Sequence, residues 1–401
     1  MQIEWGHSNA MFLIVQRGKP MNSRNLFGTV ICAIFVGAAS SAAVLGQDDP
    51  AASRLLVGNA DDTPPSVSAT TADQSPSAGF REAGGFPSYG RPRWTASADF
   101  LILDRIGGAS QTLVSRVSFK DDPRTTSGVE ALNGNDFQQG FCGGPRLGLI
   151  RRGDSGYDWE LSYFQIDGWS SDRSIGPDDP IDWLVMKAPG GFTQTNQPPK
   201  LATQAMVWDY ATKLYNAELN VRWNPSDRVT VLAGFRWINL GENLVGTLNP
   251  TTFDSEQSHW NFWNATTTNN LYGLQIGADG KIFERGRFSM NMLAKAGIFD
   301  NNAEQTTSVS VIFKQERTGS TSTNHAAFVG ETGLQCKYQV TKGLFLKAGY
   351  EAIWLQGVAL APGQVQETYV TVQPMAVQAL GVNCNSGVFY HGATAGLEYS
   401  F

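Results

Sequence analysis

Charge is scarce in this chain of 401 residues: Asp, Glu, Lys and Arg together make up 16%, against the ~25% usual in soluble domains. Long apolar runs are missing too. Outside residues 26–46 nothing approaches the roughly 20 consecutive apolar residues that a membrane helix needs, which excludes a helical membrane protein. The formal net charge is -6 and no basic stretch could track a phosphate backbone, which argues against a nucleic-acid partner. With only four His and four Cys, no constellation of metal ligands forms and no cofactor is expected. What the chain does have is aromatic residues (11%, with 11 Trp) and 43 Gly. Few charges, many aromatics and abundant Gly suggest β-structure that alternates polar and apolar residues. The length would hold about two or three soluble domains, but barrels run as one long domain.

The N-terminal 46 residues read as a removable address. Arg24 supplies a positive n-region, Leu26–Ala39 an apolar h-region, and Ser41-Ala42-Ala43 a small-residue cleavage site, the pattern of a secretory signal peptide. Met21 offers an alternative start. Residues 47–92 hold six of the 18 prolines among many Ser, Ala, Asp and Thr. Such a segment cannot bury enough apolar surface to offset its ordering entropy, and it reads as a disordered linker.

From residue 93 onward strict alternation sets in, as a strand between lipid and a polar interior requires. Trp94, Ala96, Ala98, Phe100 and Ile102 share one face, with Thr95, Ser97 and Asp99 beginning the other. The clearest hairpin joins Tyr215, Ala217, Leu219, Val221 and Trp223, through the turn Asn224-Pro225-Ser226-Asp227, to Val229, Val231, Ala233, Phe235 and Trp237. Short turns near 152–156, 224–227, 282–286 and 340–343 alternate with long polar loops. The pattern predicts ten strands at 94–104, 141–151, 157–168, 206–223, 228–240, 267–281, 286–299, 325–339, 343–356 and 387–401. Strand-like pieces inside the loops, Ser308–Phe313, Gln111–Lys120 and Gln366–Val372, leave twelve to fourteen open. A soluble β-sandwich would alternate as well, but it would not need Tyr157, Trp159, Tyr215, Trp223, Trp237, Tyr338 and Trp354 near strand ends, where interfacial girdles sit. The fold class expected is all-β: a transmembrane, antiparallel, up-and-down barrel over 93–401, with short periplasmic turns and long extracellular loops.

The last strand carries a resemblance. Ala393, Ala395, Leu397, Tyr399 and the terminal Phe401 share one face, and this resembles the assembly signal of bacterial outer-membrane proteins, whose insertion machinery recognises the final strand. With the alternation above it, the chain resembles the β-barrel porin families of diderm bacteria. That resemblance implies the bacterial outer membrane as location, and its lipid and the barrel assembly machinery as partners. A closing last strand is also a physical need, since unpaired backbone is too costly in lipid.

The inward set predicted from the alternation is Asp99, Arg146, Glu160, Glu218, Arg222, Arg236, Asp279, Lys295, Glu331, Lys347, Glu351 and Glu398, with Asp158 and Lys337 beside them. In a wide barrel these line a water pore for passive diffusion of small polar solutes or ions. In a narrow one they pair into a network that fills the interior, leaving a closed structural or binding barrel that presents its loops. Ten strands lie near the size that side chains can fill. An enzyme is not expected. His259, His325 and His391 are the only histidines past the signal segment; a barrel protease would need a pair such as Asp300 and His325 to activate water, and His391 has Ala393 rather than a Ser nucleophile two residues on. Asp178, Asp179 and Asp182 offer oxygens to a hard cation without completing a ligand set. Cys142 and Cys384 both fall at the long-loop end, where an oxidising envelope permits a disulfide between them. Trp260, Phe262 and Trp263 are placed to stack on a sugar, fold into the lumen or anchor at the membrane surface. The sequence leaves the oligomeric state open.

Overall fold

The computed structural model describes residues 92–118, 128–153, 155–176, 182–186, 205–248, 262–311, 315–372 and 375–401. The signal segment and nearly all of the linker at 47–92 lie outside them, as do Asp178, Asp179, His259 and Trp260.

Among the described residues fifteen strands follow in chain order: β1 (Trp94–Ile106), β2 (Thr112–Ser118), β3 (Val129–Asn133), β4 (Phe141–Arg152), β5 (Tyr157–Ile175), β6 (Asp182–Met186), β7 (Met206–Ser226), β8 (Val229–Leu248), β9 (Phe262–Arg285), β10 (Phe288–Val311), β11 (Gln315–Gln339), β12 (Leu344–Val358), β13 (Thr368–Val372), β14 (Met375–Ala379) and β15 (Ser386–Ser400). Ten of them close into a barrel in the order β1-β15-β12-β11-β10-β9-β8-β7-β5-β4. All ten predicted strands are there. The strand-like pieces in the loops do not raise the barrel count: 112–118 forms a three-stranded sheet in the order β3-β2-β6, 368–372 pairs with β14, and Ser308–Val311 extends β10.

Closure is made by the two ends of the chain. β1 pairs with β15 from Thr95↔Ser400 to Ile106↔Phe389, and Trp94 and Phe401 exchange backbone hydrogen bonds of 3.0 and 2.9 Å. No strand edge is therefore left in the membrane-spanning wall, as hydrocarbon requires.

The outer face sets the depth of the membrane. On β10 the outward residues from Phe288 to Ile298 are apolar; Asp300, Asn302, Glu304, Thr306 and Ser308 follow. At about 3.3 Å per residue and a tilt of ~40°, Phe288–Ile298 covers roughly 25 Å, the height of an outer-membrane apolar band. Tyr157, Trp159, Trp223 and Tyr338 stand exposed at its short-turn rim. β7 to β11 continue past the other rim by some ten residues each, so the wall rises above the membrane on that side only.

Two glycine bulges shape the interior at one level. Gly168 (φ +100°) breaks the β5–β7 register after Asp167, and Gly357 (φ +81°) breaks β12–β15 after Gln356. Each takes a backbone conformation that a β-carbon disfavours, and each turns the next side chain, Trp169 or Val358, inward when strict alternation would send it out.

Candidate functional site: the barrel lumen

All twelve predicted lumen residues lie inside the barrel, and each meets an opposite charge there. Cross-strand register creates the centre of the network. Glu218 of β7 stands directly opposite Arg236 of β8, and Lys295 of β10 directly opposite Glu331 of β11, the arrangement that favours unlike charges on neighbouring strands. The two pairs then join: Arg236 lies 2.8 Å from Glu331, and Lys295 lies 2.9 Å from Glu218 and 3.1 Å from Glu331. On intervening β9, Gln275 donates to Glu218 at 2.8 Å and to Asn220 at 2.8 Å. Asn216 accepts from Arg236 at 2.6 Å. Of these four charged groups none is more than 9% exposed.

Further pairs follow, most of them reaching across an intervening strand. Arg146 of β4 donates to both Glu351 oxygens of β12 at 2.6 and 2.7 Å, and its guanidinium lies 5.1 Å from the Phe164 ring. Lys347 meets Asp99 at 2.7 Å and Lys337 meets Glu398 at 2.7 Å. Arg222 bridges Glu160 at 3.1 Å and Asp279 at 3.4 Å. A bidentate Arg–carboxylate pair is the strongest and most directional of these contacts.

Above the charges, toward the long loops, the inward face becomes apolar. Leu101 and Leu103 (β1), Phe164 and Trp169 (β5), Leu214 (β7), Ile238 and Leu240 (β8), Leu271 (β9), Phe299 (β10), Val329 (β11), Leu355 (β12) and Tyr390 (β15) form one cluster, with Cys142 of β4 against it. These twelve side chains are none of them more than 2% exposed. A water-filled path through this level would leave some of their inward faces accessible. Trp169, turned in by the Gly168 bulge, donates its indole N–H to the Leu103 carbonyl at 3.1 Å and tilts against Tyr390 at 5.1 Å between ring centroids.

A third layer caps the second. After β12 the chain turns inward, and Ala361–Glu367 forms a short 3-10 helix whose first five residues are buried. Side chains of the tall strands hold this segment. Asn269 pairs with the backbone of Ala359, accepting at 2.7 Å and donating at 2.8 Å. Asn301 donates to Gly357 O at 3.0 Å, and Gln305 donates to Gly381 O. Glu242 takes the most: Arg105 donates to one oxygen, and Tyr210 (2.6 Å) and the Ala361 N–H (2.8 Å) donate to the other. Arg105 and Glu242 are 1% and 0% exposed at their side chains. Burial, partly opposed by Arg105, holds the Tyr210 phenol well above its ordinary range, so that it stays a donor to Glu242.

Sequence reasoning missed Arg105, Glu242 and the whole apolar layer. A signal for the layer was present: both faces turn apolar together in Phe100-Leu101-Ile102-Leu103, Ile353-Trp354-Leu355 and Phe389-Tyr390, the mark of a strand buried on both sides.

Several expectations need correction. Cys142 and Cys384 are free thiols. Cys142 donates to Asp167 O at 3.1 Å, while Cys384 packs with Ala303 and Ala359, because the segment carrying it folds into the mouth instead of crossing toward β4. Burial pushes the Cys384 thiol up to about 11. Alkylation of Cys384 by iodoacetamide at pH 8 should therefore proceed at least about tenfold slower than that of a free thiol, and mass spectrometry of the native protein under non-reducing conditions should find no Cys142–Cys384 bridge. Asp300 and His325 do not meet: Asn301 is the partner of His325, and Asp300, one residue away, points to the other face, where Asn324 reaches it at 3.4 Å. His391 stands on the outer face, hydrogen-bonded to Tyr350 and 3.9 Å from Asp104. Of the placements expected for Trp263 the inward one is found: it is fully buried, edge-on to Trp208 at 5.7 Å. Among the described residues no group of three or more His, Cys, Asp or Glu could hold a metal ion.

The family model described as "Putative beta barrel porin-7 (BBP7)" matches residues 96–401. The chain belongs to that family. It is thus a porin-family β-barrel of the bacterial outer membrane, and the alternating residues of its ten strands face lipid outside and the lumen inside. No curated protein matches it. Among solved structures, the outer-membrane protease OmpT of Escherichia coli is 7% identical, with 77% of this chain and 96% of that one covered and a TM-score of 0.39. The toluene transporter TbuX of Ralstonia pickettii is 9% identical (78% and 90% covered, TM-score 0.30). A FadL homologue of Pseudomonas aeruginosa is 11% identical (78% and 90% covered, TM-score 0.25).

Proposed function

We propose that this porin-family chain works as a closed barrel: a non-enzymatic outer-membrane scaffold that presents the tall β7–β11 wall and its capping segments outside the cell. The observation that carries this reading is the apolar layer, to which all ten barrel strands contribute and twelve of whose side chains, from nine strands, are at most 2% exposed. A polar solute crossing it would have to shed its water without compensating hydrogen bonds, at roughly 2–7 kcal/mol for each polar group. Below the layer, each of the twelve charged residues lies against an opposite charge, Glu398 through Lys337 and both Glu160 and Asp279 through Arg222, which supports the same reading. The partners of this scaffold are outer-membrane lipid and, through the exposed Leu397, Tyr399 and Phe401 of the closing strand, the barrel assembly machinery.

Passive diffusion of small polar solutes is the second reading. Its support is the porin family itself, together with a cap held by side-chain hydrogen bonds that a solute could displace. Liposome swelling separates the two. With protein extracted from outer membranes and incorporated into liposomes, swelling in isosmotic arabinose should match that of protein-free vesicles. Swelling that scales with protein content would favour the diffusion reading.

A further inference from the structure

A cavity of about 530 Å³ opens in the barrel wall where β12 leaves the sheet. It is a groove open along its length to the surroundings of the barrel. Its position follows from the Gly357 bulge. β11 pairs with β12 only up to Phe328↔Gln356; β12 then turns into the mouth while β11 continues upward beside β10, and the wall parts between them. The lower lining is lipid-facing: Ile298, three-quarters exposed and the last apolar residue of its strand before Asp300, and Phe328. The upper lining is polar: Gln356 and Asn385, with His325, which the register turns to the inner side of the wall, and Cys384 behind them. The side chains of His325, Gln356 and Asn385 make no hydrogen bond to other described residues. The site is thus amphipathic along the membrane normal, apolar at the depth of the acyl chains and rich in free N–H donors at the interface.

We propose that this cavity binds a neutral single-chain amphiphile drawn from the outer leaflet. The chain lies against Ile298 and Phe328, and a hydroxyl or carbonyl oxygen accepts from the donors above. A neutral head is favoured over a carboxylate, because Asp300 stands opposite Ala326 at the mouth and a second negative charge there would be repelled. The proposal concerns the outer wall and does not depend on whether the lumen conducts.

The Trp354 ring lies 6.5 Å from that of Phe328 and serves as the reporter. The full-length exported protein is placed in nanodiscs and titrated with 11-bromoundecanol, whose bromine quenches indole at short range; the Trp354 component is the difference from Trp354→Phe. Saturable quenching of that component is expected. Ala326→Phe, which fills the exposed mouth, should raise the apparent Kd at least about tenfold while heat-modifiable mobility shows that the barrel still folds. Quenching that rises without saturation, or is unchanged in Ala326→Phe, would overturn the site. Tighter binding of 12-bromododecanoate than of the alcohol would overturn the choice of a neutral head.

Discussion

Arg236→Met is expected to destabilise the folded barrel by about 3–5 kcal/mol, the range found when one partner of a buried ion pair is removed. Arg236 is 1% exposed and stands between Glu218 and Glu331. Without it, two carboxylates confront a single ammonium, Lys295, in a place where water cannot take over solvation. The double variant Arg236→Met with Glu331→Gln leaves one acid and one base and should recover at least half of the loss. Urea titration in detergent micelles, followed by tryptophan fluorescence, measures both. An Arg236→Met midpoint equal to that of the unmodified protein would show that the quartet does not hold the barrel together.

Glu242→Ala should release the cap while leaving the barrel closed on itself. It removes the acceptor for Arg105, Tyr210 and the Ala361 N–H together, and strands a buried guanidinium. A local cost of about 3 kcal/mol corresponds to a roughly 100-fold rise in the population with the cap undocked. Chymotrypsin reads this at Tyr369 in β13 and Leu380 just past β14, which follow the capping helix and are 46% and 62% exposed. Cleavage there should accelerate by a comparable factor if docking and undocking are fast relative to proteolysis. Heat-modifiable mobility should persist, because Glu242 lies beyond the membrane-spanning part of β8. An unchanged cleavage rate would mean that other contacts, such as the Asn269 pairing with Ala359, hold the cap unaided.

How much of this was legible in the sequence follows from where period-two alternation is the governing rule. Between lipid and a polar interior each strand has one acceptable register, since a slip of one residue would put Glu218 or Arg236 into hydrocarbon. The ten strands, the seam at Phe401 and the inward charges were therefore readable. The strands were drawn too short, as with 325–339 for β11, because above the membrane both faces of the wall carry Thr, Ser and Asn and no contrast marks them as strand. The apolar layer escaped because Asp, Glu, Arg and Lys were used as markers of the inside, and Leu101 or Phe299 carries no such mark. The bulges at Gly168 and Gly357 shift the parity of Trp169 and Val358, so alternation taken literally sends those side chains to the wrong face. The Glu242 latch joins β1, β7, β8 and the segment after β12, and contacts at such separations leave no local pattern. The Cys142–Cys384 pairing failed for the same reason: both lie at one end of the barrel, but the path of the chain into the mouth sets their partners.

The central claim is that the lumen is closed at the apolar layer, and single-channel recording in planar bilayers tests it most directly. Protein extracted from outer membranes, shown to be folded by its heat-modifiable mobility, is expected to insert and remain silent in 1 M KCl. Reproducible unitary steps from the unmodified protein, with a reversal potential under a salt gradient, would contradict it and establish a conducting pore.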